Sequence, residues 1–135
     1  MKKQPIIANL ALLVIFTISL NTYGQTFKIT RVETSKQYRY QKMNKELLGK
    51  SIVVKFNDKT VTVNLEGKNQ PITMKEVDQS TNKYSFLVRG EYFTESYSVS
   101  FNTTLGVYTS LLFNYHKRIN KEDEVTTISA KRFNN

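Results

Sequence analysis

The chain has 135 residues with no cysteine, no tryptophan, one histidine, two prolines and five glycines. Without cysteine it can form no disulfide and offers no thiol nucleophile or thiolate metal ligand. One histidine cannot build a multi-imidazole metal site, and no partners for a histidine-based triad are evident. The five glycines are isolated, so the chain lacks a glycine-rich phosphate-binding loop. We therefore expect a protein that is not an enzyme and that carries no metal or cofactor.

The N-terminal segment has the order of a secretory signal peptide. Lys2 and Lys3 precede an apolar run from Ile6 to Leu20, and a short polar stretch then ends at Gly24. A charged head, an apolar run and a small residue at the cleavage site are the three parts of such a signal. The apolar run is shorter than the roughly 20 residues that a membrane-spanning helix needs. We expect residues 1–24 to be removed, and the protein to be secreted or periplasmic.

The remaining residues, 25–135, are predicted to form a single domain with a strong positive charge. The whole chain has 20 basic and 11 acidic residues, so loss of Lys2 and Lys3 leaves 18 against 11, a net charge of +7. A chain of this length can bury one hydrophobic core without disulfides. A net positive charge favours association with a protein or an anionic partner. Nucleic acid is an unlikely partner for an exported protein.

Alternating apolar residues are the main structural signal in this domain. Residues 52–56 and 61–65 both alternate, and Asn57-Asp58-Lys59 separates them. Two alternating segments joined by a short Asn/Asp loop are typical of a β-hairpin. Residues 27–32 and Tyr38 to Tyr40 are also interpreted as strands, whereas Gln41 to Gly49 is predicted to form a short helix.

The spacing of strands and turns predicts an all-β domain of eight or nine antiparallel strands in a meander. Such regular spacing is typical of a closed barrel or a two-sheet sandwich. No Cys…Trp…Cys pattern of an immunoglobulin-like sandwich is present, so a small lipocalin-like barrel is preferred. This preference concerns architecture only, because the chain also lacks the Gly-x-Trp motif of lipocalins. In the strand predicted after the turn at Asn102 to Gly106, the residues expected to line one face are Val107, Thr109, Leu111, Phe113 and Tyr115.

Glu95 is the most informative acidic residue. Its alternation places it on the same strand face as Phe93 and Tyr97, which is predicted to point inward. A carboxylate among aromatic side chains is costly unless it is paired. We therefore predict Glu95, Tyr97 and Phe93 as ligand-binding residues; a slipped register would instead expose Glu95 to water. His116, the single histidine, is interpreted as an exposed strand residue.

A second candidate site combines basic and aromatic residues. Arg31, Tyr38, Arg39, Tyr40 and Lys42 are close in sequence, and Tyr38 and Tyr40 would share one face of the strand predicted there. Aromatic residues interleaved with positive charge can bind by stacking and charge attraction. Half-buried packing is the alternative for tyrosines on a strand.

Two functions are compatible with these features. The first is an exported, non-enzymatic binding module that recognises a protein or anionic partner in the cell envelope or outside the cell; it predicts a filled interior and an exposed basic or aromatic patch. The alternative is a lipocalin-like carrier of a small apolar ligand held inside the barrel. It predicts an apolar cavity open at one end, with Glu95 or a tyrosine hydroxyl as its polar anchor.

Overall fold

The computed structural model describes residues 24–68 and 70–133, with the backbone alone for residues 37–39. The predicted signal peptide lies outside the described residues except for Gly24. The described elements have the following bounds: β1 Gly24–Thr34, α1 Gln37–Leu47, β2 Ser51–Phe56, β3 Thr60–Leu65, β4 Ile72–Asp78, β5 Lys83–Arg89, β6 Phe93–Thr104, β7 Val107–Ile119 and β8 Glu122–Arg132.

The strands form a closed antiparallel barrel. Each strand pairs with the next one in sequence, and β8 returns to pair with β1, where Val32 lies opposite Ile128. Closure leaves no edge strand, and alternate residues of each strand face the interior. The described part of the chain thus confirms the predicted all-β meander and a lipocalin-like barrel of eight strands rather than a sandwich.

The hairpin of β2 and β3 was predicted correctly. Val54 lies opposite Val63 and Phe56 lies opposite Val61, and all four side chains are buried. The backbone N–H of Asn57 donates to the carbonyl oxygen of Thr60 at 2.9 Å and closes the turn. The alternation determines the register here, because a shift of one residue would expose every apolar side chain of the hairpin.

The predicted strand at Tyr38 to Tyr40 is wrong. This segment is the beginning of α1, which starts four residues before the predicted helix start at Gln41. Two tyrosines two residues apart resemble strand alternation, but Tyr40, Met43 and Leu47 also follow the i, i+3, i+7 spacing of one helix face. All three side chains line the same cavity at an end of the barrel, so packing favours the helical alternative.

The predicted position of Val107 on the same strand face as Leu111 and Phe113 is also wrong. The register of β6 and β7 shifts between Asn102 and Thr103, and such a bulge changes which side chains face inward. Val107 is consequently exposed. Tyr108 packs against the core in its place, whereas Leu111 and Phe113 are buried.

The two ends of the barrel differ in how they are filled. We call the end that carries the loops 57–59, 79–82 and 105–106 the closed end. Its interior is occupied by aromatic rings that contact one another, namely Phe27, Phe56, Tyr84, Phe101 and Tyr108. The rings of Phe56 and Tyr108 stack with centroids 4.8 Å apart. The opposite end, which carries α1 and the segments 66–68, 70–71, 90–92 and 120–121, is called the open end.

Candidate functional site

A cavity of about 920 Å³ occupies the open end of the barrel. Its volume lies within the range of about 300–1,000 Å³ that is usual for small-molecule sites. The deeper wall is apolar and includes Val63, Ile72, Phe113 and Ile128. Polar and charged side chains lie nearer the mouth, so the cavity has an apolar interior and a polar rim.

Helix α1 supplies one wall of the cavity and is attached to the barrel by polar contacts. The Tyr40 hydroxyl donates to Oε2 of Glu124 at 2.7 Å. The Lys36 ammonium lies 3.2 Å from Glu122 and 3.5 Å from Glu124. These ion pairs to β8 raise the pKa of Lys36. Asn44, one helical turn after Tyr40, donates to the buried Thr34 hydroxyl at 3.2 Å. The helix is therefore held across the mouth.

Two tyrosines on adjacent strands line the part of the cavity wall that β6 and β7 form. Tyr97 and Tyr115 lie directly opposite each other, and their ring centroids are 4.8 Å apart. The Tyr97 hydroxyl donates to Oε2 of Glu95 at 3.4 Å. Burial, and next the negative charge of Glu95, raise the pKa of both phenols. Both hydroxyls thus remain protonated at neutral pH.

A row of charged residues crosses three strands at the mouth. Lys117 on β7 lies opposite Glu95 on β6 and Glu124 on β8. Lys117 and Glu124 line the cavity directly, and Lys68 lines it from the loop between β3 and β4. Neither lysine forms an ion pair with another residue in the described part of the chain.

The barrel wall is less regular between β4 and β5 at this end. The two strands are paired from Lys75 and Ser85 to the closed end. Between those two residues and the open end, the described residues of β4 and β5 are not paired with each other. The next residues toward the mouth include Thr73 and Phe86, and both line the cavity. The cavity therefore extends to the seam between these two strands as well as to the mouth.

The three predicted ligand-binding residues lie in different environments in the structure. Glu95 faces inward and accepts a hydrogen bond from Tyr97. Tyr97 lines the cavity, whereas Glu95 is not among the residues that line it. Phe93 lies at the rim, where its ring covers Gly90: a Cβ atom at Gly90 would come within 2.2 Å of that ring. The backbone N–H of Gly90 also donates to the Phe93 carbonyl oxygen at 2.9 Å. Phe93 thus stabilises the β5–β6 turn and is not among the residues that line the cavity.

The predicted basic and aromatic patch does not lie on one strand. Arg31 is exposed on β1 and forms an ion pair with Glu33, and Lys42 is exposed on α1. Tyr40 lines the cavity. The side chains of Tyr38 and Arg39 lie outside the described residues.

Sequence reasoning placed Tyr115 on the lined face of its strand, but it did not name Tyr115, Lys117 or Glu124 as candidate site residues. Their alternation along β7 and β8 was visible, but their proximity to Glu95 depends on the register of three strands. His116, which alternates with them, is exposed as predicted and lies 2.9 Å from Asp123. It therefore lies on the outer surface, away from the cavity.

Comparisons with protein-family models, curated proteins and solved structures find no match to this chain. Among the described residues, no group of three or more histidine, aspartate or glutamate side chains is arranged to hold a metal ion. Within the same residues, no helix has the length and apolar character needed to cross a membrane. The cavity is thus the feature of the described residues with the clearest capacity for binding.

Proposed function

We propose that this protein is a non-enzymatic carrier that binds a small, largely apolar ligand in the open end of its barrel. The observation that supports this function is the cavity of about 920 Å³ beneath α1, with an apolar interior and polar side chains at its mouth. Such a site buries most of a small molecule and orients it through a few polar contacts. An eight-stranded barrel is wide enough to hold one small ligand.

The cavity favours the carrier over a surface-binding module. The module hypothesis predicts a filled interior, but only the closed end is filled by aromatic side chains. It also predicts an exposed patch, whereas Tyr40, one of the patch residues, lines the cavity. The absence of catalysis is part of the proposal, because His116 pairs with Asp123 on the outer surface rather than with a group at the cavity.

We also propose that the carrier acts in the periplasm or outside the cell. The order of charged, apolar and small residues in 1–24 supports this location. Intact-mass measurement of exported protein is expected to show a chain that begins at Gln25. Retention of residues 1–24 in that protein would contradict the proposed export route.

Binding is tested by filling the cavity from one strand of its wall. Thr126 lines the cavity, and its neighbour Val125 is exposed on the same strand. Thr126→Trp is expected to weaken binding of the neutral apolar dye Nile red by roughly tenfold or more, because the indole occupies the space that the dye needs. Val125→Trp adds the same side chain outside the barrel and should bind the dye like the wild type.

Circular dichroism and thermal melting of both variants show whether each is folded. Native mass spectrometry of protein purified from its own host provides an independent measurement, in which a small mass released on denaturation is expected. Equal dye binding by the two folded variants, or no dye binding by the wild type, would contradict the carrier function.

A further inference from the structure

The charged side chains of the cavity indicate which chemical class of ligand it binds. This inference rests on the proposed function. The charged residues that line the cavity are Lys68, Lys117 and Glu124, and Glu95 accepts a hydrogen bond from Tyr97 in the cavity wall. The question is which of these groups still has hydrogen-bonding and charge capacity for a ligand.

Both carboxylates at this end are already bound by the protein. Glu124 accepts a hydrogen bond from Tyr40 and lies 3.5 Å from the Lys36 ammonium. Glu95 accepts a hydrogen bond from the Tyr97 hydroxyl. A carboxylate that already accepts a hydrogen bond from the protein gains less free energy from binding a ligand group than one without a partner.

The lysines differ from the carboxylates in this respect. Lys117 lies between Glu95 and Glu124 in the strand register, yet no carboxylate oxygen of the described residues is recorded within 4.0 Å of its ammonium group. It is half-buried on the cavity wall. An ammonium group has three donors and no acceptor, so its available partners are acceptors, and anionic acceptors bind most strongly.

We propose that the ligand is an amphipathic monocarboxylate whose carboxylate group binds Lys117 at the mouth. Its apolar part then extends toward Phe113 and Ile128 on the deeper wall. This orientation places the charge where water is accessible and buries the hydrocarbon, which is the favourable arrangement for both parts. A ligand with a cationic head would bring its charge close to Lys117 and would be repelled.

The test compares an acid with its neutral ester. The probes are cis-parinaric acid, a fluorescent long-chain carboxylic acid, and its methyl ester, each titrated at neutral pH and low ionic strength. The wild type is expected to bind the acid roughly tenfold more tightly than the ester, as a charge-assisted hydrogen bond predicts. Lys117→Met should remove most of this difference, whereas Lys117→Arg should retain the preference for the acid.

Lys131→Met is the matched control, because Lys131 is exposed on β8 and does not line the cavity. It should keep the full preference for the acid. Lys68→Met examines the other lysine of the cavity, and loss of the preference in this variant alone would overturn the assignment to Lys117.

The outcomes separate this inference from the proposed function. Equal binding of acid and ester by the wild type would overturn the carboxylate class but leave the carrier function intact. If Lys117→Met keeps the same preference for the acid as Lys131→Met, the carboxylate does not bind Lys117, and the inference is overturned while the carrier function stands. If the wild type binds neither probe and also fails to bind Nile red, the proposed function itself is wrong.

Discussion

The closed and open ends of this barrel are built from the same strands but have different interiors. At the closed end Phe101 contacts four other rings, with centroid distances from 5.1 to 6.0 Å. At the open end Tyr97 and Tyr115 are also close, with centroids 4.8 Å apart, but they border a cavity of about 920 Å³. Aromatic content by itself therefore does not distinguish a packed core from a binding site.

The two ends differ most in the position of polar atoms. The aromatic cluster at the closed end packs mainly against apolar neighbours such as Val54, Val61 and Met74. At the open end the inward positions of β6, β7 and β8 carry Glu95, Lys117 and Glu124. Buried polar groups lower stability unless they are hydrogen-bonded or paired, and proteins accept this cost mainly at functional sites. The polar residues of the open end are therefore consistent with binding. Four substitutions or measurements test this division.

The largest expected effect comes from a charge placed in the packed part of the interior. Val54 is fully buried, so Val54→Asp is expected to abolish folding because it buries an unpaired carboxylate. Val61 in the facing strand is also fully buried and does not line the cavity, so Val61→Asp should do the same. Thr126→Asp, at the cavity, should give a folded protein because water reaches the new carboxylate. Circular dichroism and thermal melting measure these outcomes, and a normal melt for Val54→Asp would contradict the hairpin register.

Removal of one ring from each end should have the next largest effect. Phe101→Ala is expected to lower the free energy of unfolding by about 3–5 kcal/mol, because it leaves a void among four rings. Phe86 is 44% exposed and lines the cavity, so Phe86→Ala should cost about 1 kcal/mol or less. Urea denaturation of both variants gives the comparison. Equal losses would show that the open end is as well packed as the closed end.

The tyrosine pair at the open end predicts a loss of stability at alkaline pH. Burial and the charge of Glu95 raise the pKa of Tyr97 and Tyr115, while an unfolded tyrosine has a pKa of about 10. Above that pH the unfolded chain loses its phenolic protons first, so the free energy of unfolding falls as the pH rises toward the folded-state values. Below it the stabilisation is fully present.

Thermal melting between pH 9 and pH 11 measures this effect. The double variant Tyr97→Phe/Tyr115→Phe should lose less stability over this range than the wild type. Tyr92→Phe, which alters an exposed ring in the β5–β6 loop, is the control and should follow the wild type. A double variant with the wild-type profile would show that these phenols do not titrate differently in the folded protein.

The last expected effect is on binding kinetics and concerns the seam between β4 and β5. A disulfide between Thr73→Cys and Leu87→Cys would join the strands where their recorded pairing has stopped. It should slow both association and release of a bound dye, with little change in the dissociation constant. The chain has no native cysteine to interfere.

The control disulfide joins Lys75→Cys and Ser85→Cys, which lie opposite each other in the paired part of the same two strands. Stopped-flow fluorescence of the oxidised and reduced forms gives the rates. If the two disulfides change the rates equally, or neither changes them, the ligand passes through the mouth rather than through the seam.

The sequence was sufficient to predict features that depend on local alternation. The β2–β3 hairpin was predicted with its loop at residues 57–59, because apolar residues on one face determine the pairing. The inward direction of Glu95 followed from the same period-two pattern. The start of α1 was not predicted, because Tyr38 and Tyr40 fit both a strand and a helix. The bulge between Asn102 and Thr103 was also missed, since it is an exception to the alternation on which the prediction of Val107 was based.

The charged row at the mouth was beyond sequence reasoning for a different reason. Glu95, Lys117 and Glu124 become neighbours only when β6, β7 and β8 pair in one particular register. The contact between the rings of Tyr97 and Tyr115 depends on the same pairing. A single sequence does not specify distances between separate strands, and so it could not show which charges are paired and which are available.

Composition and alternation by themselves determined that this chain forms an all-β domain without disulfides, with Val54 and Val63 in its core and Glu95 facing inward. Only the tertiary structure decided that one end of the barrel is packed while the other contains a cavity beneath α1. The physical reason is that alternation specifies which face of a strand is buried. The space between buried faces depends on how closely all the strands and the helix approach one another.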